Sequence, residues 1–481
     1  MDGSPEDCSP EAAKGGSEGF DLAVIGAGSA GFSAAIRGAE LGARVALIGH
    51  GTIGGTCVNV GCVPSKTLLR AAETLHQAEA ASRFAGIRGR ADLEDWRALV
   101  AQKDELVSGL RQSKYSDLLP AYNTIAYLEG PARLTNDGVV VNGDLLHPGK
   151  TIITAGASPA VPPIPGIEDV PFLTSTTALE LESLPKSLMV IGGGYIGCEL
   201  AQMFARAGVA VSILCRRRLL PEAEPEIGEA LAGYFRDEGM TVHAGVSYKR
   251  FRRTGRGAAL TIEIDGRLET IETETVLVTT GRTPNTQGLD LEEAGVELTP
   301  NGGIRVDDRL RTTKPGVYAA GDVTGRDLFV YMAAYGAKVA VENALNGDAR
   351  AYDAAAMPSV VFTDPQAASV GLTEAQARAR GLDVETTNLA LSHVPRALAA
   401  RDTRGLIKLV AEKDTKRLLG AHILAPEGCD SIQTAALAIK QGLTVTDLAE
   451  TIFPFLTTVE GLKLAALAFE KDVNLLSCCA G

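Results

Sequence analysis

The residues best suited to chemistry are two cysteines five positions apart, Cys57 and Cys62. Five residues of regular helix rise about 7.5 Å, which exceeds the roughly 7 Å between Cα atoms that a disulfide tolerates. If the two thiols pair, the backbone is therefore distorted, and Gly54, Gly55 and Gly61 supply the freedom because glycine adopts positive φ at little cost. The pattern favours a redox-active dithiol. Two buried thiols, or half of a zinc site, are the alternatives, although no second cysteine or histidine pair lies nearby at ligand spacing.

The whole stretch from Gly54 to Lys66 resembles the active-site signature of the flavin-dependent pyridine nucleotide disulfide oxidoreductases. The resemblance implies that Cys62 faces the flavin of FAD as a thiolate and that Cys57 is the more exposed nucleophile. It also implies an ion pair between Lys66 and Glu199 beside the flavin. Lys66 and a helix amino terminus would lower the pKa values of the thiols. The residues of this stretch that we assign to FAD are Gly55, Thr56 and Lys66.

A dinucleotide fingerprint precedes the cysteines. The apolar run from Asp21 to Ile25 predicts a strand, Phe32 to Leu41 predicts a helix, and Val45 to Ile48 predicts a second strand. A glycine-rich turn between strand and helix is typical of a pyrophosphate site, since it allows a tight turn and close approach of the ligand. The residues that we predict to hold FAD at this turn are Gly26, Gly28, Ala30 and Gly31.

The end of the second strand departs from the fingerprint. An acidic residue is expected there to bind the adenosine ribose, and the family resemblance implies glutamate. The chain instead has Gly49 followed by His50. We expect His50 or a water molecule to replace the carboxylate.

A second fingerprint begins with the predicted strand Ser187 to Ile191, followed by a helix at Cys198 to Gly208 and a strand at Val209 to Leu214. Three arginines and no carboxylate follow, and arginine accommodates the 2′-phosphate of NADP. NADPH is therefore the expected reductant. By resemblance, Tyr195 in the turn covers the flavin until the nicotinamide displaces it. The residues assigned to NADPH are Gly192, Gly194, Gly197, Arg216, Arg217 and Arg218, while Cys198 and Cys215 are expected to pack.

Further patterns complete the predicted architecture. Thr279 to Asn285, which includes Gly281, resembles the family's return from the nicotinamide domain, and Asp322 is implied to lie near the ribityl chain and pyrophosphate of FAD. Turn signals between Ile125 and Lys150 predict a small hairpin region. In the predicted helix from Val330 to Leu345, both tyrosines, Tyr331 and Tyr335, are expected to pack.

The predicted fold class is α/β, with two Rossmann-like dinucleotide-binding domains, one for FAD and one for NADPH, and a carboxy-terminal α+β dimerisation domain. The predicted boundaries are a disordered leader at 1–19, an FAD-binding domain at 20–155 and 281–350, an NADPH-binding domain at 156–280, and a dimerisation domain at 351–481.

Composition and charge argue against several classes of protein. The chain has 46 basic and 59 acidic residues and a net charge of −13, which disfavours nucleic acid or an anionic membrane as a partner. No apolar run approaches the ~20 residues of a membrane span, and the first 18 residues lack the features of a signal peptide. Eight scattered cysteines do not suit a secreted disulfide framework. We expect a cytoplasmic protein.

The end of the sequence distinguishes among the activities of the family. Cys478 and Cys479 are adjacent and cannot easily close an unstrained disulfide, since neighbouring Cα atoms lie only ~3.8 Å apart. They suit a soft metal ion as thiolate ligands. Family members that reduce disulfides carry a histidine before a proline near this end, where the chain has Phe453. Together these features resemble the members that reduce Hg(II).

We therefore predict a homodimer with shared active sites that oxidises NADPH and reduces Hg(II), supplied as thiol complexes, to Hg(0). Cys478 and Cys479 of one subunit would bind Hg(II) and pass it to Cys57 and Cys62 of the other. Phe455 stands where such members commonly have tyrosine, which leaves the transfer step without a phenol. The alternatives are a disulfide reductase of the lipoamide or glutathione type and a metal-sequestering protein with a vestigial flavin fold.

Overall fold

A computed structural model of the protein describes residues 19–475. The predicted leader, except for Gly19, and the terminal cysteines Cys478 and Cys479 lie outside these residues. Across the described part of the chain, no helix combines the length and the apolar character that crossing a membrane requires.

The amino-terminal part of the chain is built on short apolar strands. Every residue of Leu22–Ile25 and of Val45–Gly49 is buried, as expected for parallel strands that are covered on both faces. The elements here are β1 (Leu22–Ile25), α1 (Ser29–Glu40), β2 (Val45–Gly49), α2 (Gly55–Val60), α3 (Cys62–Glu79), α4 (Trp96–Lys114), β3 (Ile125–Glu129), β4 (Ala132–Leu134), β5 (Val139–Val141), β6 (Asp144–Leu146), β7 (Lys150–Ile153) and β8 (Ala157–Pro159).

The middle of the chain repeats this plan. Its elements are β9 (Phe172–Thr174), α5 (Ser175–Ala178), β10 (Ser187–Ile191), α6 (Tyr195–Arg206), β11 (Ala210–Cys215), α7 (Pro225–Asp237), β12 (Thr241–Ala244), β13 (Ser247–Thr254), β14 (Gly257–Ile264), β15 (Arg267–Thr273), β16 (Thr275–Val278) and β17 (Arg282–Pro284). A parallel sheet with strand order β12-β11-β10-β16-β9 forms what we call the second Rossmann unit. An antiparallel sheet, β13-β14-β15, packs beside it, and β17 pairs with β8.

The chain then returns to the first sheet through β18 (Val317–Ala319) and α8 (Val330–Asn346). The first Rossmann unit is the resulting parallel sheet, with strand order β18-β7-β1-β2-β3. Helices α1 and α8 pack against it over an apolar core.

The carboxy-terminal part is an antiparallel sheet with helices. Its elements are β19 (Ser359–Val361), β20 (Gln366–Gly371), α9 (Glu374–Ala379), β21 (Val384–Ala390), α10 (Pro395–Ala400), β22 (Leu406–Glu412), β23 (Leu418–Ala425), α11 (Gly428–Gln441), α12 (Val445–Glu450) and α13 (Glu460–Leu467). The strand order is β19-β20-β23-β22-β21. The predicted fold class, two Rossmann-like units and an α+β domain, is confirmed.

The predicted hairpin region is wrong in its first strand. Ile125–Glu129 pairs in parallel with β2 and forms the edge of the first Rossmann sheet. Only β4, β5 and β6 form the antiparallel meander. The reason is that Tyr127 and Leu128 pack on opposite faces of the parallel sheet, against two different cores. The turn residues that follow β3 in the sequence led us to assign this strand to the hairpin region.

One hydrophobic core holds α3 and α4 against the second Rossmann unit. The rings of Trp96 and Phe204 lie 6.1 Å apart, and the indole Nε1 of Trp96 donates a hydrogen bond to the carbonyl oxygen of Leu181 at 2.7 Å. Leu68 of α3 belongs to the same core. The helix that begins at Cys62 is thus fixed relative to α6.

Candidate active site

A cavity of about 780 Å³ lies where the two Rossmann units meet the loop after β19. It brings together residues that are far apart in sequence, from the first glycine turn, the cysteine stretch, α6 and the loop after β18. The predicted site residues that line it are Gly26, Gly28, Ala30, Gly55, Thr56, Cys57, Cys62, Lys66, Tyr195, Glu199 and Asp322.

The first glycine turn is shaped for a dinucleotide. Gly26 has φ +119°, and a Cβ atom there would lie 2.4 Å from the carbonyl oxygen of Thr154. Gly31 does not line the cavity. It instead lets α1 approach the turn, since a Cβ there would lie 1.7 Å from the carbonyl oxygen of Gly26. Gly28 caps α1 without a side-chain hydrogen bond, so the amide groups at this helix start are available to a pyrophosphate.

The cysteine stretch packs directly on that turn. The amide of Gly54 donates a hydrogen bond to the carbonyl oxygen of Ala27 at 2.9 Å. A Cβ on Gly55 would lie 2.6 Å from Cα of Gly28, so glycine is needed for this close approach. Gly54 and Gly55 both have positive φ, 96° and 67°, as the sequence predicted.

The helix breaks between the two cysteines, also as predicted, but Gly61 acts differently from expectation. Helix α2 ends at Val60 and α3 begins at Cys62, with Gly61 at φ −129° and ψ −111°. Its φ is not positive. Glycine is required because a Cβ would lie 2.9 Å from the carbonyl oxygen of Thr56.

The two thiols are hydrogen-bonded to each other and have opposite pKa shifts. Cys57 donates to the sulfur of Cys62, and this bond, together with the positive charge of Lys66, lowers the pKa of Cys62 to about 7 although burial opposes the shift. The same bond, followed by burial, raises the pKa of Cys57. The expected lowering therefore applies to Cys62 alone, because the hydrogen bond favours the thiolate form of Cys62 and the protonated form of Cys57.

Lys66 and Glu199 form the expected ion pair. Lys66 Nζ lies 2.7 Å from Glu199 Oε2 and 4.9 Å from the centroid of the Phe362 ring. Glu199 is only 4% exposed, and its Oε1 accepts a hydrogen bond from the amide of Phe362 at 2.9 Å. Because one carboxylate binds both groups, α3, α6 and the loop after β19 are held together around Cys62.

An aromatic wall closes one side of the cavity. Tyr195 is the first residue of α6, and its ring lies 5.8 Å from that of Phe329, which stacks on Tyr331 at 5.3 Å. Tyr331, which we expected to pack, does stack on Phe329, but it also lines the cavity and is 38% exposed. Tyr335 does pack, against Tyr352. We missed one sequence signal, which is the pair of aromatic residues Phe329 and Tyr331 at the start of α8.

Asp322 lies in the cavity beside an arginine that the sequence interpretation also missed. Burial raises the pKa of Asp322, and Arg282 Nε lies 3.5 Å from its Oδ2. That buried Nε has no hydrogen-bond partner in residues 19–475. Since an unpaired buried donor is costly, Arg282 points to a polar or anionic ligand in the cavity. Its neighbour Gly281 has φ +129° but does not line the cavity.

The glycines of the second turn do not line this cavity. Gly192 and Gly197 repeat the packing of the first turn, whereas a Cβ on Gly194 would meet nothing within 4 Å. The three predicted phosphate ligands behind β11 differ in their surroundings. Arg216 is exposed, Arg217 pairs with Glu222 at 2.5 Å, and Arg218 donates to the carbonyl oxygen of Ala223 at 2.5 Å. Arg218 is held by the backbone through Nη2, although its buried Nε is unpaired within residues 19–475. Arg216 and Arg217 are the exposed candidates.

The described residues contain no group of three or more His, Cys, Asp or Glu side chains arranged for a metal ion. Cys198 and Cys215, predicted to pack, are both buried.

Comparisons with known proteins agree with this geometry. Residues 20–346 match the family described as pyridine nucleotide-disulphide oxidoreductase, and residues 357–466 match the dimerisation domain of that family. The chain is 46% identical to the mercuric reductase of Lysinibacillus sphaericus, over 96% of this chain and 85% of that protein. It is also 46% identical to the mercuric reductase of Streptomyces lividans, over 96% and 99% of the two chains.

Two solved structures share the fold. The HOCl-induced flavoprotein disulfide reductase RclA from Escherichia coli superimposes with a TM-score of 0.81 at 33% identity, covering 94% of this chain and 100% of that one. LpdA from Mycobacterium tuberculosis superimposes with a TM-score of 0.83 at 25% identity, covering 94% and 99%.

Proposed function

Since the chain belongs to the pyridine nucleotide-disulphide oxidoreductase family, we propose that it is a mercury(II) reductase. It uses a pyridine nucleotide to reduce Hg(II) to volatile Hg(0), and this reaction detoxifies the metal. The relatives named mercuric reductase match nearly the whole chain. The single observation that carries the redox chemistry is the thiol pair Cys57 and Cys62, held beside the Lys66–Glu199 ion pair in the cavity. The absence of a histidine before Pro454 favours Hg(II) over a disulfide as the substrate.

FAD and a pyridine nucleotide are the cofactors of the family, and the cavity suits FAD. Gly28 leaves the start of α1 open, and the unpaired Nε of Arg282 next to Asp322 can meet a polar group of the cofactor. When bound, the flavin carries two electrons from the pyridine nucleotide to the thiol side of the cavity. We propose that Gly26, Gly28, Gly55, Thr56 and Asp322 hold it.

Cys62 and Cys57 would bind Hg(II) as two thiolates. The opposite pKa shifts lead us to reverse the roles that the resemblance implied, in which Cys57 was the nucleophile. Cys62, whose pKa is about 7, attacks first and displaces one thiolate of an incoming Hg(II) complex. Cys57 then loses its proton to that leaving thiolate and displaces the second one. The positive charge of Lys66 favours the thiolate form, and Glu199 keeps Lys66 in position.

The family's dimerisation domain makes the protein a homodimer. We propose that Cys478 and Cys479 of one subunit bind Hg(II) before it reaches Cys57 and Cys62 of the other. Apolar side chains near the end of the described residues suit burial between subunits, since Ile452 is 93% exposed and Phe455 48%. We place the enzyme in the cytoplasm.

NADPH is the nucleotide that we propose. Arg216 is exposed behind the second Rossmann strand and makes no hydrogen bond or ion pair within residues 19–475, so it is available for a 2′-phosphate. Gly192, Gly194 and Gly197 would hold the pyrophosphate. The boundaries that we propose are the predicted ones, 20–155 with 281–350 for FAD, 156–280 for NADPH and 351–481 for dimerisation.

A disulfide reductase of the lipoamide or glutathione type would use the same thiol pair. That alternative lacks its usual general acid, because Phe453 precedes Pro454 where those enzymes carry histidine. A metal-sequestering protein would have no need of two glycine turns that both retain the close packing of a dinucleotide site.

The test is NADPH oxidation by the FAD-loaded dimer, with Hg(II) in excess thiol and, in parallel, with oxidised glutathione or lipoamide. We expect oxidation that depends on Hg(II), with little turnover of either disulfide. Brisk disulfide turnover without mercury release would support the disulfide reductase. Tight Hg(II) binding without NADPH consumption would support sequestration.

Replacing Cys478 and Cys479 with alanine should impair turnover of thiol-bound Hg(II) but leave flavin reduction by NADPH intact.

A further inference from the structure

The adenosine end of the first Rossmann unit lacks its expected acid and has a tyrosine hydroxyl in the same place. A Cβ atom on Gly49 would lie 2.5 Å from Tyr127 Oη and 2.9 Å from Tyr127 Cε2. At such distances one of the two groups must move, so the Tyr127 hydroxyl keeps its present place because position 49 has no side chain. We propose that the Tyr127 hydroxyl binds the adenosine ribose of FAD in place of the carboxylate that the chain lacks at Gly49.

Strand pairing brings Tyr127 to this position. Strand β3 runs parallel to β2, with Tyr127 opposite Leu47 and Glu129 opposite Gly49. The Tyr127 ring packs on the core below the first glycine turn, near Ala27, and its hydroxyl reaches forward to the end of β2. Tyr127 lines the cavity together with His50, the residue that we first expected to replace the acid.

The Tyr127 hydroxyl is available to a ligand. It makes no hydrogen bond within residues 19–475, whereas most other phenols in this range are bonded. Tyr248, for example, packs in the second Rossmann unit and donates to the carbonyl oxygen of Leu214 at 2.8 Å. A half-buried phenol with an unpaired hydroxyl on a cavity wall suits ligand binding, since buried tyrosine hydroxyls usually find a partner.

The chemistry of the phenol fits the ribose. Burial, followed by the negative charge of Glu129, raises the pKa of Tyr127, which keeps its hydroxyl protonated. It can then donate one hydrogen bond to a ribose oxygen and accept another from a ribose hydroxyl, whereas a carboxylate only accepts. The inference rests on the FAD that the family uses and is independent of Hg(II) as the substrate.

The test compares FAD with FMN, which lacks the adenosine half. Dissociation constants for the flavin-free dimer would be measured by quenching of flavin fluorescence. We expect Tyr127→Phe to weaken FAD binding roughly 3- to 10-fold, the effect of one hydrogen bond, and to leave FMN binding unchanged. Tyr248→Phe, which removes a phenol hydroxyl from the other Rossmann unit, should leave FAD binding unchanged.

Two results would overturn the inference. One is an unchanged FAD affinity in Tyr127→Phe, above all if His50→Ala weakens FAD binding instead. The other is an equal loss of FAD and FMN affinity, which would mean that the substitution had disturbed the whole pocket. Thermal unfolding of the flavin-free variants identifies any that are misfolded, and a Tyr127→Leu variant, which retains an apolar side chain without the hydroxyl, then provides the second comparison.

Discussion

The two Rossmann units close their glycine turns by the same contacts. In the first, the Thr154 hydroxyl donates to the carbonyl oxygen of Gly26 at 3.1 Å, and in the second the Thr279 hydroxyl donates to that of Gly192 at 3.3 Å. Gly26 and Gly192 have nearly equal φ values, +119° and +115°. Both units therefore use the same turn to place the amino terminus of a helix at a dinucleotide site.

The units differ at the end of the second strand. In the first, Gly49 leaves room for Ala27 and the Tyr127 hydroxyl. In the second, Cys215 fills the equivalent space against Gly193, where an added Cβ would lie 3.0 Å from the Cys215 Cβ. The comparison teaches that the two units share one turn and differ at the last residues of β2 and β11, Gly49 and Cys215.

The largest effect is expected from breaking the shared turn in one unit at a time. In Gly31→Ala the new Cβ meets the Gly26 carbonyl oxygen, and in Gly197→Ala it meets the Gly192 oxygen at 2.2 Å. Because backbone must move, we expect a roughly 100-fold or larger loss of affinity. Equilibrium binding should show the FAD loss in the first variant alone and the NADPH loss in the second alone. Loss of both ligands in either variant would contradict the independence of the units.

A smaller effect should come from the arginines behind β11. Arg216→Ala is expected to raise the KM for NADPH roughly 10- to 100-fold, because a hydrogen bond between charged groups is lost, and to leave the KM for NADH unchanged. Arg217→Ala is the matched control. Its effect should be smaller because Arg217 already pairs with Glu222. Equal losses for NADPH and NADH would mean that Arg216 does not read the 2′-phosphate.

The ion pair between Lys66 of α3 and Glu199 of α6 should set the pH dependence of thiol reactivity. The pKa of Cys62 is lowered to about 7, in part by Lys66, so the fraction of thiolate rises with pH through that value. In Lys66→Met the pKa loses a cause of its lowering, and the alkylation rate of the reduced protein should reach half its maximum about one pH unit higher. Glu199→Gln is the opposite control, because the Glu199 charge raises the pKa of Cys62. An unshifted profile in Lys66→Met would show that the hydrogen bond from Cys57 alone controls Cys62.

Local patterns predicted much of the fold and the centre of the site. Glycine spacing located both turns because its cause is steric and lies within a few residues, and strand β10 was predicted with its observed bounds. The cysteine stretch likewise indicated a distorted backbone if the two thiols pair, and the structure has a helix break at Gly61 although Cys57 and Cys62 are both free thiols.

Contacts between distant residues could not be predicted in this way. The missing acid at Gly49 was visible in the sequence. Tyr127 lies next to Gly49 only because β2 pairs with β3, and we did not predict this pairing because we had assigned β3 to the hairpin region. The partner of Arg218 and the opposite pKa shifts of the two thiols also depend on side-chain geometry that no spacing encodes.

The most direct measurement of the central claim is the amount of Hg(0) released per NADPH oxidised by the FAD-loaded dimer, with Hg(II) in excess thiol. Hg(II) gains two electrons and NADPH supplies two, so we predict equal molar amounts, and no Hg(0) from Cys62→Ser. NADPH oxidation without Hg(0), or undiminished Hg(0) release by Cys62→Ser, would contradict the account.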